Sequence, residues 1–146
     1  MHRFLPTLYL TVILLILFPS CSRPAFTGLA LELPETVPNV RIDGDRSGLG
    51  PCEPSIYINP ADPEQVVAGA ILNRAYHSHD GGKTWTKQTL RSPYGVYGDP
   101  VILADYDGNF YYAHLADPSG AGWGDPNFLD RMVIQKSTDG GKTWNE

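Results

Sequence analysis

Ser78–Trp85 reads SHDGGKTW and Ser137–Trp144 reads STDGGKTW, so one octapeptide occurs twice with a single internal change. Repeated turn chemistry implies a repeated structural unit. In each copy the preceding residues are strand-like (Arg74 to His77 and Met132 to Lys136). The Asp-Gly-Gly core supplies the positive φ of a tight turn, and a Thr-Trp pair opens the next strand. Each copy is therefore expected to be the tip of a β-hairpin. Asp80 and Asp139 are placed to accept hydrogen bonds from backbone N–H groups one to three residues on, with the Ser and Thr hydroxyls closing the loop. Trp85 and Trp144 are expected to lie back over their hairpins and bury a large ring.

Outward from the octapeptides, the chain from Glu53 onward falls into two parallel passages. The first runs EPSIYINP, EQVVAGAIL, RAYHSHDGGKTWTKQTL; the second runs GDPVILAD, NFYYAHLAD, RMVIQKSTDGGKTWNE. Each predicts an apolar inner strand opened by an acidic residue and proline, a second strand after a turn, and the glycine-rich hairpin joining strands three and four. That pattern is one four-stranded propeller blade, present twice. Pro54 and Pro100 are 46 residues apart whereas Asp80 and Asp139 are 59 apart, so about 13 residues are inserted between strands two and three of the second unit. The inserted stretch is DPSGAGWGDPNFLD, Asp117 to Asp130. In an up-and-down blade the hairpin tips lie at one end, with the inner-strand mouths and the insertion at the other.

The octapeptide resembles the Asp box, the Ser-x-Asp-x-Gly-x-Thr-Trp repeat of sialidase-like β-propellers, also called the bacterial neuraminidase repeat. The matching positions are Ser78, Asp80, Gly82, Thr84 and Trp85, and again Ser137, Asp139, Gly141, Thr143 and Trp144. The resemblance covers about residues 50 to 146. It implies an all-β fold, a partial sialidase-like propeller of about two four-stranded blades. It also implies that the boxes are scaffold on the rim, away from the catalytic face. Catalytic sialidases hold the substrate carboxylate with three arginines, the first in an Arg-Ile-Pro motif, and use an Asp acid/base with a Tyr-Glu nucleophile pair. This chain departs from that pattern: Cys52 stands where the first arginine belongs, and Arg41-Ile42 is followed by Asp43. No sialidase catalytic residue is carried over. The likeness is closer to exported bacterial proteins of the broad family that open blades with Glu-Pro-Ser and Gly-Asp-Pro.

The candidates for chemistry come from the end opposite the boxes. Glu53 and Asp99 each precede a proline at the mouth of an inner strand, where acidic groups can serve acid/base work, bind a cation or hold sugar hydroxyls. Equally, an acid before proline can simply cap a turn. Around them fall Arg91, Tyr94, Tyr97, Trp123, Asp125, Asp130 and Arg131. Of these, Arg91, Tyr97, Trp123 and Arg131 are the candidates for substrate contact, because Trp and Tyr suit sugar faces and Arg suits carboxylates. Trp123 has the alternative role of pinning its own glycine-rich loop. Asp43 to Gly48 begins like a calcium loop, but Pro54 stands at the twelfth position where a bidentate Glu is needed, so a polar turn is expected and no metal site. No cofactor is expected.

The first 20 residues read as a signal peptide. His2 and Arg3 start it, Leu8 to Phe18 is nearly all apolar and too short to span a bilayer, and Phe18-Pro19-Ser20-Cys21 resembles a lipoprotein box with Cys21 lipidated. Cleavage near Ser20 with ordinary secretion is the alternative. Residues 21–49 are expected to tether the fold, with a short strand at Val37 to Ile42, and 50–146 to form the blades. With Cys21 lipidated, Cys52 lacks an intramolecular partner and is expected to be a small buried side chain. A net charge of −5 argues against nucleic acid; 15 Gly, 13 Pro and 42% hydrophobic residues suit a turn-rich β protein.

The implied partners are a glycan ligand and, through the lipid, a membrane. The implied activity is glycoside hydrolysis of the exo-α-sialidase type, the alternative being a non-catalytic propeller that binds glycan or protein. A propeller needs about four blades to close. The chain is therefore expected to be the N-terminal part of a longer protein, or else a two-blade unit that closes by self-association.

Overall fold

The computed structural model describes residues 38–45 and 50–145. The signal peptide, Cys21 and most of the expected tether lie outside the described residues. Seven strands follow in order: β1 (Ser55–Ile58), β2 (Val66–Ala70), β3 (Arg74–Ser78), β4 (Thr86–Thr89), β5 (Gly98–Ala104), β6 (Phe110–Leu115) and β7 (Met132–Ser137). All neighbours are antiparallel. The first sheet runs β1-β2-β3-β4 and the second β5-β6-β7, each in chain order. These are two up-and-down blades of a partial propeller.

The second sheet has three strands where four were expected. Its fourth begins as a single bridge, Asn145 opposite Lys136, closed by hydrogen bonds of 2.6 and 2.8 Å. That pairing repeats the register of Thr86 opposite His77 in the first sheet. Residues 38–42 form no strand either. Residues 38–41 are exposed, and Ile42 packs on Ala68, Ala70 and Tyr76 of the first sheet.

The two sheets meet across a buried core. Side chains alternate between faces along a strand, so Val67 and Ala75 of the first sheet face Ile102, Phe110 and Tyr112 of the second. Gly69 allows a close approach: a Cβ there would sit 2.8 Å from the Tyr112 ring. Tyr112 then donates its hydroxyl to the Arg74 carbonyl at 3.0 Å. Burying each of the larger apolar side chains contributes about 1.5–3 kcal/mol.

The outward faces are also apolar. Ile56 and Ile58 on the first sheet are 58% and 57% exposed; on the second, Val101, Leu103, Ile134 and Met132 are 50%, 54%, 59% and 66% exposed. A two-layer sandwich turns polar residues outward. Apolar side chains on both faces instead mark sheets shaped to be covered on two sides, as blades are. Strand β2 shows it within five residues: VVAGA is buried throughout.

The remaining part of the outward face of the first sheet is held by charge. Asp43, with its side chain 4% exposed, accepts from the Tyr76 hydroxyl at 2.6 Å and pairs with Lys87 at 2.8 Å, while Asp45 pairs with Arg74 at 3.2 Å. Burial alone would push the Asp43 carboxyl up. Hydrogen bonds from Lys87, Tyr76 and the Asp45 backbone outweigh that and hold it at about 2. The start of the suspected calcium loop is thus spent on side chains of this sheet. Among the described residues no cluster of three or more His, Cys, Asp or Glu could hold a metal ion, and no helix is long and apolar enough to cross a membrane.

Candidate functional site

An up-and-down meander sorts its connections to two ends. At one end lie the two octapeptide hairpins. In the first, the Ser78 hydroxyl donates to Asp80 Oδ1 (2.7 Å) and accepts from the Gly82 N–H (2.9 Å). Thr84 donates its N–H to Oδ1 (2.9 Å) and its hydroxyl to Oδ2 (2.6 Å) of the same Asp. In the second, Ser137, Gly141, Thr143 and Asp139 repeat these bonds at 2.8, 2.9, 2.9 and 2.6 Å. Hydrogen bonds from Thr84, side chain and backbone, hold the Asp80 carboxyl well below its ordinary range. Burial raises Asp139, but Thr143 and Ser137 bring it to about 2. Each carboxylate is thus occupied by its own loop.

The tryptophans differ in their further contacts. Trp85 lies over Gly82 and donates Nε1 to its carbonyl at 2.8 Å. Trp144 instead packs on the core between the sheets, edge to face with Tyr112 at 5.6 Å, and its buried Nε1 has no hydrogen-bond partner among the described residues. The first sheet covers this face, so the ring is used in packing there.

At the other end Glu53 and Asp99 line one cleft of about 290 Å³, with Tyr97, Cys52, Ile71 and Leu72. The blade repeat accounts for the equivalence of the two acids: each stands immediately before the proline that opens an inner strand, and Ile71 and Leu72, which follow β2, wall the cleft they share. Both are exposed and both have left-handed backbones, Glu53 at φ 52° and Asp99 at φ 50°. Non-glycine residues there cost about 1–3 kcal/mol each, and such conformations cluster at binding and catalytic sites. Two at equivalent positions, aimed into one cleft, distinguish this end from the hairpin end.

Cys52 is exposed rather than buried. Its carbonyl accepts from the Ile71 N–H at 3.1 Å, and the residue lines the cleft.

The inserted stretch, Asp117 to Asp130, carries a short 3-10 turn, Gly122–Gly124. It docks by Leu129 N–H to Ala116 O (3.1 Å), Ala116 N–H to Arg131 O (3.2 Å) and Asp117 N–H to Tyr94 O (3.0 Å). It builds an aromatic row: Trp123, 82% exposed, meets Phe128 at 4.7 Å, and Phe128 meets Tyr97 at 4.4 Å, both edge to face. The row leads from solvent to the cleft wall. Trp123 does not itself line the cleft. Arg131 makes a two-pronged pair with Asp130 (2.9 and 2.5 Å) and lies over the Tyr94 ring at 4.9 Å. Arg91 is exposed and outside the cleft; its carbonyl accepts from Gln135 Nε2 at 2.7 Å. Asp125 caps the backbone N–H of Asn127 at 2.8 Å.

Phe128, Ile71 and Leu72 were not among the sequence candidates. Phe128 links Trp123 to Tyr97 only through the path of the insertion, for which spacing carries no signal. Ile71 and Leu72 follow β2 at the mouth end, a position that the blade pattern does mark.

Comparison with known proteins agrees with this architecture. The BNR/Asp-box repeat family model matches residues 76–87 and 135–146. A protein named "Sialidase" from Bacteroides fragilis (strain YCH46) is 36% identical over 88 aligned residues, which cover 47% of this chain and 16% of that relative. The chain therefore spans a small part of the length of the curated relative it matches. No solved structure matches significantly. With two boxes of matching geometry on successive blades, the chain carries BNR/Asp-box repeats and is similar, over part of its length, to a sialidase.

Proposed function

We propose that the end bearing Glu53 and Asp99 is a glycan-binding face, and that the protein acts as a glycoside hydrolase of the exo-α-sialidase type. The observation that carries this reading is the shared cleft: two carboxylates from equivalent blade positions, both in left-handed backbone, beside Tyr97 and approached along Phe128 and Trp123. Carboxylates accept from sugar hydroxyls or move protons at a glycosidic oxygen. Aromatic edges and faces match the apolar patches of pyranose rings. The sialidase likeness supplies the substrate class.

A second reading is a non-catalytic glycan binder. It is favoured by Cys52 at the place of the first carboxylate-binding arginine, and by Arg131 being committed to Asp130. A fluorogenic α-sialoside and a panel of sialylated and neutral glycans separate the two. Release of the fluorophore, reduced at least tenfold in Glu53→Gln or Asp99→Asn, supports hydrolysis; glycan retention without release supports the binder. Neither retention nor release by a folded chain contradicts both.

For the N-terminus we propose export and lipidation at Cys21, with the fold carried at the membrane surface. The support is the apolar run ending in Phe-Pro-Ser-Cys. Cys21→Ala is expected to move the protein from the membrane fraction to the soluble one; unchanged membrane association would contradict lipidation.

A further inference from the structure

Arg74 opens β3 just after the turn that follows β2, and its guanidinium reaches two segments that build the acid cleft. Nη1 donates to the Gly50 carbonyl at 3.0 Å and also to the Ile71 carbonyl. Gly50 stands three residues before Glu53, in the segment that brings Cys52 and Glu53 to the cleft, and Ile71 lines the cleft itself. The same two segments are bonded directly through the Ile71 N–H and the Cys52 carbonyl at 3.1 Å. From Ile71 the contact passes to the second acid: a Cβ on Gly98 would sit 2.9 Å from Ile71 Cγ2, so this side chain rests on the backbone immediately before Asp99.

The rest of the guanidinium is held from residues 43–45. Nη2 pairs with Asp45 Oδ2 at 3.2 Å, and Nε lies 3.8 Å from Asp43 Oδ2. The Arg74 carbonyl accepts from the Tyr112 hydroxyl at 3.0 Å, which ties the residue to the second sheet as well. A planar fork of fixed donors can hold two carbonyls and a carboxylate at once, whereas a lysine ammonium on its flexible stem cannot fix that arrangement. Left-handed backbone at a non-glycine residue persists only where its surroundings over-determine it. At φ 52° and 50°, Glu53 and Asp99 need such support. Arg74 supplies it to the first through Gly50 and to the second through Ile71, without lining the cleft itself.

We propose that Arg74 is a positioning residue for the cleft. Its fork fixes the segment leading to Glu53 against the Ile71 turn, and thereby sets where the Glu53 and Asp99 carboxylates stand, while Asp45 orients the fork. Every contact in this chain of support is made between described residues. The inference rests on the glycan reading for its ligand, but the positioning itself is measurable without one.

NMR on the 146-residue chain tests it with three substitutions. Arg74→Lys keeps the charge beside Asp43 and Asp45 but loses the fork, and Asp45→Asn loosens the anchor of the fork. Lys87→Gln is the control: its ammonium pairs with Asp43 at 2.8 Å and bonds neither cleft segment among the described residues. In the ligand-free chain, Arg74→Lys is expected to shift the amides of Glu53 and Asp99 while both Asp boxes stay unmoved. The Asp99 amide is decisive, because Arg74 reaches it only through Ile71. The same variant is expected to bind a sialylated trisaccharide about tenfold more weakly. Asp45→Asn is expected to shift the same amides in the same direction by less, and it carries the test if Arg74→Lys fails to fold. Lys87→Gln is expected to leave amides and affinity unchanged. A folded Arg74→Lys with Glu53 and Asp99 unmoved, an unchanged affinity beside moved amides, or an equal effect of Lys87→Gln would each overturn the proposal. Amides that move as expected in a chain that binds no trisaccharide would support the positioning and sink the glycan reading alone.

Discussion

The two Asp-box hairpins match in hydrogen bonding to about 0.1 Å, yet their surroundings differ throughout. The first tip is open: a Cβ on Gly81 would meet nothing within 4 Å, and one on Gly82 would rest on Trp85 at 3.6 Å. The second tip is wedged against the first sheet: a Cβ on Gly140 would lie 2.5 Å from His79, one on Gly141 2.7 Å from Val67, and Gln88 donates to the Gly141 carbonyl at 2.5 Å. The local loop is written in eight residues and is the same in both. What each hairpin contributes to stability is decided by what stands next to it.

The largest expected effect breaks this comparison at the glycines. Gly82→Ala meets only the left-handed backbone penalty, about 1–2 kcal/mol at φ 85°. Gly141→Ala at φ 87° adds a collision with Val67, for a total of about 2–5 kcal/mol. Urea unfolding of the two variants measures the gap, and equal losses would contradict the wedged second tip.

Acid sharpens the comparison. Asp139 and Asp43 have folded-state values of about 2 against an ordinary 3.8. A depressed carboxylate stabilises the fold fully above its unfolded value and ceases to do so as pH falls through its folded value. The melting temperature is therefore expected to be flat above about pH 5, and to drop between about pH 4 and pH 2. Asp139→Asn is expected to flatten part of that drop. An Asp139 carboxyl that titrates near 3.8 by NMR would contradict the bonding described here.

The smallest expected difference concerns the indoles. Trp85→Phe removes the bond from Nε1 to the Gly82 carbonyl and is expected to cost about 1 kcal/mol beyond lost packing. Trp144→Phe removes an N–H that has no partner among the described residues, and is expected to cost less than the lost ring area alone implies. Thermal melts of the pair decide it, and the reverse order would contradict the assigned orientations.

The same contrast explains what the sequence made legible. The strands before each box, the order of the sheets and the opposition of hairpin tips and strand mouths all follow from local turn chemistry and a period of two, and both are written in residues near each other. Both tryptophans were expected to bury a ring over their hairpins; the contact of Trp144 with Tyr112 depends on packing that the octapeptide does not encode. Cys52 was expected inside because cysteine is usually buried, yet it is exposed at the cleft, its carbonyl bonded to the Ile71 N–H. The strand expected at residues 37–42 is absent over 38–42, where residues 38–41 are exposed and only Ile42 packs on the first sheet. At the mouth end, Glu53 and Asp99 share a cleft because the blade repeats. Phe128 joins it only through the fold of the 117–130 stretch, which has no counterpart in the first blade.

The central claim is a division of labour: octapeptide tips hold the sheets, and the acid-lined mouth end meets the ligand. NMR chemical-shift mapping with a sialylated trisaccharide tests it most directly. The account predicts perturbed amides at Cys52, Glu53, Leu72, Tyr97 and Asp99, extending to Trp123 and Phe128. Perturbations centred on Ser78–Trp85 or Ser137–Trp144, with the mouth end unmoved, would contradict it.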